Sequence, residues 1–435
     1  MDERNMLQDL QTQVERLTLL QEINQAFHSS IELDELLPTI FKEVIEAMGA
    51  EGGSIWLLDP SSEDLECRIA AGGGGEKLRG SRLRLGEGLA GWVALHQQPT
   101  TVDDVQKDDR WARHVGDAKR LDFATTSLIS APLVVKGESL GAINVVNKIG
   151  AEGFTPDDLE LLTSLANNAA LVIKNAQLVE EVKEAERVAR DMEIAANIQK
   201  SLLPAHPPQI EGVELAGRCI PAKNVGGDYF DYFLMDDDKL GILIADVSGH
   251  NVGSALVMAM TRQALRFESV HQTSVAEVLA ATNRAMYADL SNAGLLITTF
   301  YASYGLAMRV LAWANGGHNP PLLWRAREQD VLWLDADGML VGILHDVEYE
   351  ERQMTLDPGD ILLLYTDGIT EARNEAGEMY GEDRLSQLVR ANAHLSAQEL
   401  LDRIYETVRE WGRNVVQYDD VTAVVMKVVA EQPAG

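Results

Sequence analysis

The chain has 435 residues, 46% of them hydrophobic and 24% charged, and its 68 acidic side chains against 37 basic ones leave a formal net charge of −31. That length exceeds one ordinary domain and predicts two or three, with apolar content enough for a sizeable core. So strong an acidic excess argues against a nucleic-acid partner and against binding to an anionic membrane surface.

The two cysteines, Cys67 and Cys219, stand far apart and away from any histidine cluster. They predict no disulfide framework and no zinc site, as expected of a reducing compartment. No apolar run reaches the roughly 18 residues that span a bilayer, and the opening MDERNMLQDLQTQ has no apolar signal core. A cytoplasmic protein without a membrane partner is the expectation.

In chain order, residues 1–21 predict a helix with apolar positions at Leu7, Leu10, Val14, Leu17 and Leu20. The same spacing serves a coiled-coil seam or one amphipathic helix against a core. Residues 22–175 predict a compact α/β domain: a helix over Leu36–Met48, then strands at GSIWLLD, ECRIAAG, TTVDDV, SLISAPLVV and SLGAINVVNK. GGGGEKLRG is a loop by composition. A long helix starts at Pro156, with Thr155 as its N-cap and Asp157 and Asp158 in its first turn.

This region resembles a GAF sensory domain, an antiparallel sheet flanked by helices. The resemblance rests on LRLGEGLAGWVALHQQPTTVDDVQKDDRW, SLISAPLVVKGESLGAINVVNK and GFTPDDLELLTSLANNAALVIKNAQL. It implies a small-molecule or protein ligand. Asn147, Lys148, Phe154 and Asp158 partly match the pattern of cyclic-nucleotide-binding members, with Leu159 where that pattern has an acid.

Residues 176–203 predict a helical connector. A seam at Leu162, Leu165, Ala169, Val172, Ala176 and Val179 restarts at Val182, Ala185, Ala189, Met192 and Ala196. The repeated step of three is a stammer if the helix is a coiled coil; a helix packing on two partners in succession reads the same. A homodimer through these helical segments is expected.

Residues 204–430 form the third region, ahead of a 431–435 tail expected to be disordered. Four aspartates stand at the ends of its apolar runs: Asp228, Asp246, Asp367 and one of Asp419 and Asp420. Oxygen-only donors suit Mg²⁺ or Mn²⁺. YFDYFLM and KLGILIADV, joined by Asp236-Asp237-Asp238, predict a hairpin. A turn centred at Asp237 sets Asp228 opposite Asp246 with Cβ atoms roughly 5 Å apart. Carboxylates so close repel unless a cation lies between them.

From Glu193 to Met426 the chain resembles a PPM-type (type 2C) metal-dependent phosphatase of the stage II sporulation protein E branch. The resemblance runs through EIAANIQKSLLP, PAKNVGGDYFDYF, IADVSGHNVGSALVMA, NGGHNPPLLW, GDILLLYTDGITEARN and DDVTAVVM. It implies an α-β-β-α sandwich with two Mn²⁺ or Mg²⁺ ions held by Asp228, Asp246, the Val247 carbonyl, Asp367 and Asp419, with Asp420 the second choice. A hydroxide bridging the metals would attack the phosphate. Gly226, Gly227, Gly249 and Gly368 would keep side chains away from metals and substrate. Lys223 is the candidate phosphate contact. Ser248 stands where other branches place an acid histidine, and His250 and His318 are expected to be structural. The implied activity is hydrolysis of a phosphoserine or phosphothreonine protein, in this branch an anti-sigma-factor antagonist, under GAF control. A catalytically silent binding module is the alternative.

Overall fold

The computed structural model describes residues 33–59, 61–72, 75–112, 125–150, 153–235 and 238–430. The helix expected over 1–21, the start of the 22–175 region and the 431–435 tail lie outside the described residues. The chain divides into two compact units after Arg187, inside the stretch read as connector.

The first unit contains α1 (Leu33–Met48), β1 (Ala50–Leu58), β2 (Asp64–Ala71), β3 (Arg82–Arg84), α2 (Gly88–His96), β4 (Thr100–Val102), β5 (Leu128–Val135) and β6 (Glu138–Lys148). The strands form one sheet in the order β3-β2-β1-β6-β5-β4. Alternation along each strand makes two cores, because successive side chains leave opposite faces. Ile55 and Leu57 pack with Phe41, Val44 and Ile143, while Trp56 faces Cys67, Val93 and Ala142. Helix α2 escaped the sequence reading, since a run as uniformly apolar as GLAGWVALH has no period to read.

Helix α3 (Pro156–Leu202) is 47 residues long. Its start is capped as expected: the Thr155 Oγ1 accepts from the Asp158 N–H at 3.2 Å, and the Thr155 N–H donates to Asp158 Oδ2 at 2.8 Å. The two seams have different fates. Leu162, Leu165 and Ala169 are buried in the first unit's own core, with Val172 and Ala176 packed against it. That half of the seam is spent on its own sheet. Residues 181–190 are exposed throughout, Val182 at 57% and Val188 at 46%.

The second unit contains β7 (Val213–Ile220), β8 (Asp228–Met235), β9 (Lys239–Val247), α4 (Val252–His271), α5 (Val275–Ala293), β10 (Ile297–Gly305), β11 (Val310–Gly316), β12 (Leu322–Arg325), β13 (Asp330–Trp333), β14 (Arg352–Thr355), β15 (Ile361–Tyr365), α6 (Gly381–Ala391), α7 (Ala397–Trp411) and β16 (Val421–Val428). Two five-stranded sheets result, ordered β14-β11-β10-β9-β8 and β13-β12-β15-β16-β7. Ile242 and Ile244 of β9 meet Leu362, Leu364, Val424 and Met426 between the sheets. Their neighbours Leu243 and Ala245 turn outward onto Met258, Leu265 and Leu279 of α4 and α5. On the far side Leu363 and Val425 pack on Leu385 and Ile404 of α6 and α7. The layers are therefore α-β-β-α, as expected, because strands buried on both faces need helices outside.

Both cysteines are free, Cys67 buried and Cys219 half-buried. Among the described residues no helix is long and apolar enough to cross a membrane.

Candidate metal centre

The β8–β9 hairpin pairs Asp228 directly with Asp246, and Met235 with Lys239, the register that a turn centred at Asp237 demands. Asp246 also lies beside Thr298 of β10. Across from this pair, β15 runs into Thr366 and Asp367, and β16 begins just after Asp419 and Asp420. A hydrogen bond links the two sheets here: Thr366 Oγ1 donates to Asp228 Oδ2 at 2.8 Å. Thr366 Oγ1 in turn accepts from the Thr422 N–H at 3.1 Å. Both threonines lie inside quoted motifs, and a polar residue at the buried end of an apolar strand was the signal available for finding them.

Burial and the neighbouring Asp246 push the Asp228 carboxyl well above the usual carboxylate range. Burial, then Asp367, Asp419 and Asp420, raise Asp246 as well. Asp367 is raised by burial and by Asp419. The acids thus share one electrostatic environment that disfavours their charged forms. Among the described residues, no three of them approach closely enough to hold one ion between them as the side chains stand.

Asp419 and Asp420 differ sharply. Asp420 is 2% exposed, and its carboxylate accepts from the N–H groups of Ala222 at 2.8 Å and Gly227 at 2.7 Å. Asp419 is exposed, and one of its oxygens accepts from the Asp420 N–H at 2.9 Å. Asp420 therefore clamps the 222–227 loop. The crowding explains two glycines differently from the sequence reading: a Cβ at Gly226 would meet the Asp420 carboxylate, and one at Gly227 would meet the Val247 carbonyl. Val247 itself closes the hairpin, its N–H donating to the Gly227 carbonyl at 3.3 Å.

The polar residues around the acids divide by their partners. Lys223 is exposed in the loop before Gly226. Ser248 Oγ accepts from the Leu296 N–H at 3.0 Å, fastening two loops. His250 is half-buried, ahead of the Asn251 capping box of α4. His318 is buried between the sheets, its Nε2 bonded to the Tyr365 carbonyl at 3.1 Å and its Nδ1 to Thr298 Oγ1 at 2.7 Å. A carbonyl only accepts, so Nε2 carries the proton and Nδ1 accepts from Thr298. Beside the acids, a cavity of about 650 Å³ is walled by Gly368, Arg373, Tyr405, Tyr418 and Asp419.

Burial holds His318 down to about 4 from its ordinary 6.5. A depressed folded-state value means that the unfolded chain binds the proton first, so stability falls as pH drops from 6.5 towards 4. The loss reaches about 2 kcal/mol by pH 5. Accordingly, the melting-temperature advantage of the wild type over His318→Gln is expected to shrink between pH 7 and pH 5. A constant difference would show that the ring is not held neutral.

In the first unit, the four residues matched to a cyclic-nucleotide pattern engage neighbours within the unit. Lys148 Nζ pairs with Asp158 Oδ1 at 2.8 Å, and Asn147 Oδ1 accepts from the Thr126 N–H at 2.9 Å while its Nδ2 donates to Glu51 at 2.8 Å. Phe154 is buried in the core.

Residues 236–429 match the family model of stage II sporulation protein E (SpoIIE), and residues 30–174 match that of a GAF domain. A PP2C-type serine/threonine phosphatase unit behind a GAF domain is the class that these matches and the two-sheet fold define. Phosphoserine phosphatase RsbU of Bacillus subtilis (strain 168) is 32% identical over 244 residues, which cover 56% of this chain and 71% of RsbU. The chain belongs to the family of that phosphatase. Phosphoserine phosphatase RsbP of the same organism is 27% identical over 185 residues, 42% of this chain and 45% of RsbP. The SiaA-PP2C domain of Pseudomonas aeruginosa shares the fold, with a TM-score of 0.50 at 23% identity over 56% of this chain and 98% of that domain.

Proposed function

We propose that this phosphatase removes phosphate from a phosphoserine or phosphothreonine of a partner protein, under control of its GAF domain, and that Asp228, Asp246, Asp367 and Asp419 hold two Mn²⁺ or Mg²⁺ ions for the reaction. The observation that carries the reading is the direct pairing of Asp228 with Asp246, both raised by burial and by neighbouring acids. Such a cluster is costly unless cations neutralise it, and an all-oxygen donor set fits Mg²⁺ or Mn²⁺ in kind. Exposed Asp419 carries one local backbone hydrogen bond, from the Asp420 N–H, whereas buried Asp420 is held by the Ala222 and Gly227 N–H groups of the 222–227 loop. Asp419 is therefore our choice over Asp420, and the Val247 carbonyl at the mouth of the hairpin is the candidate backbone ligand.

When bound, divalent ions supply an acidified water and neutralise charge on the phosphoryl oxygens. The chain's own share is placement. Thr366 orients Asp228, Asp420 holds the loop that leads into it, and Lys223 is the nearby cation for a phosphate oxygen. We take the partner to be an anti-sigma-factor antagonist carrying one phosphoserine, a reading that rests on the family resemblance and on the RsbU and RsbP names. Asn147, Lys148, Phe154 and Asp158 are left out of the mechanism, because the polar groups of Asn147, Lys148 and Asp158 already serve the fold and Phe154 is buried in its core.

Hydrolysis of an aryl phosphate and of a phosphoserine protein, with Mn²⁺, Mg²⁺ or chelator, tests the proposal. Metal-dependent turnover absent from Asp246→Asn is expected. No turnover from the full chain or from residues 188–435 would favour the silent binding module.

The exposed stripe Val182, Ala185 and Ala189 supports a homodimer through α3. Light scattering should give twice the chain mass, and Val182→Glu should shift it towards monomer. A monomeric wild type at tens of micromolar would overturn the dimer.

A further inference from the structure

In the last turns of α3, the Gln199 side chain reaches the loop that leads into the candidate metal centre. Gln199 Nε2 donates to the Gly226 carbonyl at 2.6 Å, and Gln199 Oε1 accepts from the Gly226 N–H at 3.0 Å. The side-chain amide therefore pairs with Gly226 as a residue of a neighbouring strand would. On its other side Gly226 abuts the Asp420 carboxylate, which leaves no room even for a Cβ. Two residues later comes Asp228. The helix end is itself anchored, because the Leu202 carbonyl accepts from Arg262 Nε of α4 at 2.8 Å. Gly226 is thus gripped between α3 and Asp420, and neither grip involves a carboxylate oxygen of Asp228.

We infer that Gln199 is a positioning residue: by holding Gly226 it sets where Asp228 stands, and with it the affinity of the centre for its divalent cation. This rests on the metal-dependent reading proposed above. The end of α3 from Val188 onward belongs to the second unit, so this contact ties the helix end to the loop ahead of Asp228 within that unit. The contact needs a donor and an acceptor on one planar group, which a carboxamide offers, and asparagine is one methylene shorter. Glutamate keeps the acceptor and loses the donor; methionine keeps the length and loses both.

Calorimetric titration of the full chain with Mn²⁺, run beside a hydrolysis assay over the same concentrations, tests the inference. Gln199→Met is expected to weaken Mn²⁺ binding about tenfold, while turnover at saturating Mn²⁺ stays within about threefold of wild type. Gln199→Glu should fall between the two. A core variant distant from the centre, Leu400→Ala, serves as the stability control and should lower the melting temperature without moving the Mn²⁺ midpoint. Unchanged Mn²⁺ binding in Gln199→Met would overturn the inference, as would an equal shift in Leu400→Ala. Should Gln199→Met fail to fold, Gln199→Glu carries the same comparison. A wild type that binds no Mn²⁺ would instead refute the metal-dependent reading itself.

Discussion

Asp246→Asn is expected to lower turnover by about a thousandfold or more while raising the melting temperature of the metal-free protein. Both effects follow from one carboxylate. With cations bound, Asp246 would be the central donor of the cluster, and losing it forfeits several kcal/mol of transition-state charge stabilisation. Each 1.4 kcal/mol is roughly tenfold in rate. Without cations, the same carboxylate is half-buried opposite Asp228 and near Asp367 and Asp419. Replacing it with a neutral amide relieves repulsion that the fold otherwise bears, so the melting temperature in chelator should rise by about 2–4 °C per kcal/mol relieved. The order should invert in Mn²⁺, where the wild type gains stability by binding and the variant does not. Activity above about a tenth of wild type would remove Asp246 from the centre. A metal-free variant less stable than wild type would mean that the acids do not repel one another in the folded state.

The second large effect is on stability. Asp231 of β8 is fully buried and accepts from Arg266 Nε and Nη2 and from the Tyr229 hydroxyl. Arg266 lies on α4, with its guanidinium over the Phe233 ring. The pair fastens α4 to the strand that begins at Asp228. Arg266→Ala strands a buried charge, a change that costs about 3–5 kcal/mol where one partner of a buried pair is removed. Thermal unfolding should show the phosphatase unit melting roughly 10 °C lower. Adding Asp231→Asn to Arg266→Ala should recover part of the loss, because the carboxamide needs no counter-charge. A drop of less than about 1 kcal/mol, the scale of exposed ion pairs, would mean that water screens the pair.

Much of this protein follows from local pattern. The Asp228–Asp246 pairing was legible because strand register past a short turn is a matter of counting, and the turn signal was strong. The cap of α3 was legible because Thr155 and Asp158 satisfy each other within one turn. The four layers were an implication of the family resemblance, and the structure shows their physical basis: the strands alternate between an inter-sheet core and a helix-covered face. Helix α2 escaped because apolarity without a period does not distinguish a helix from a buried strand.

What remained depends on neighbours distant in sequence. The periodicity of α3 marks an apolar stripe but not what covers it: Leu162 and Leu165 pack in the first unit's core, while Val182 and Ala185 are exposed among the described residues. Asp419 and Asp420 are adjacent and chemically identical, and it is the 222–227 loop folding back onto Asp420 that makes their surroundings differ. Gln199 and Arg266 read as ordinary polar positions on helices until Gly226 of the 222–227 loop and Asp231 of β8 arrive beside them. Local spacing specifies how each segment is built, because backbone geometry repeats over a few residues; a charge or an amide acquires its role only when the chain closes around it.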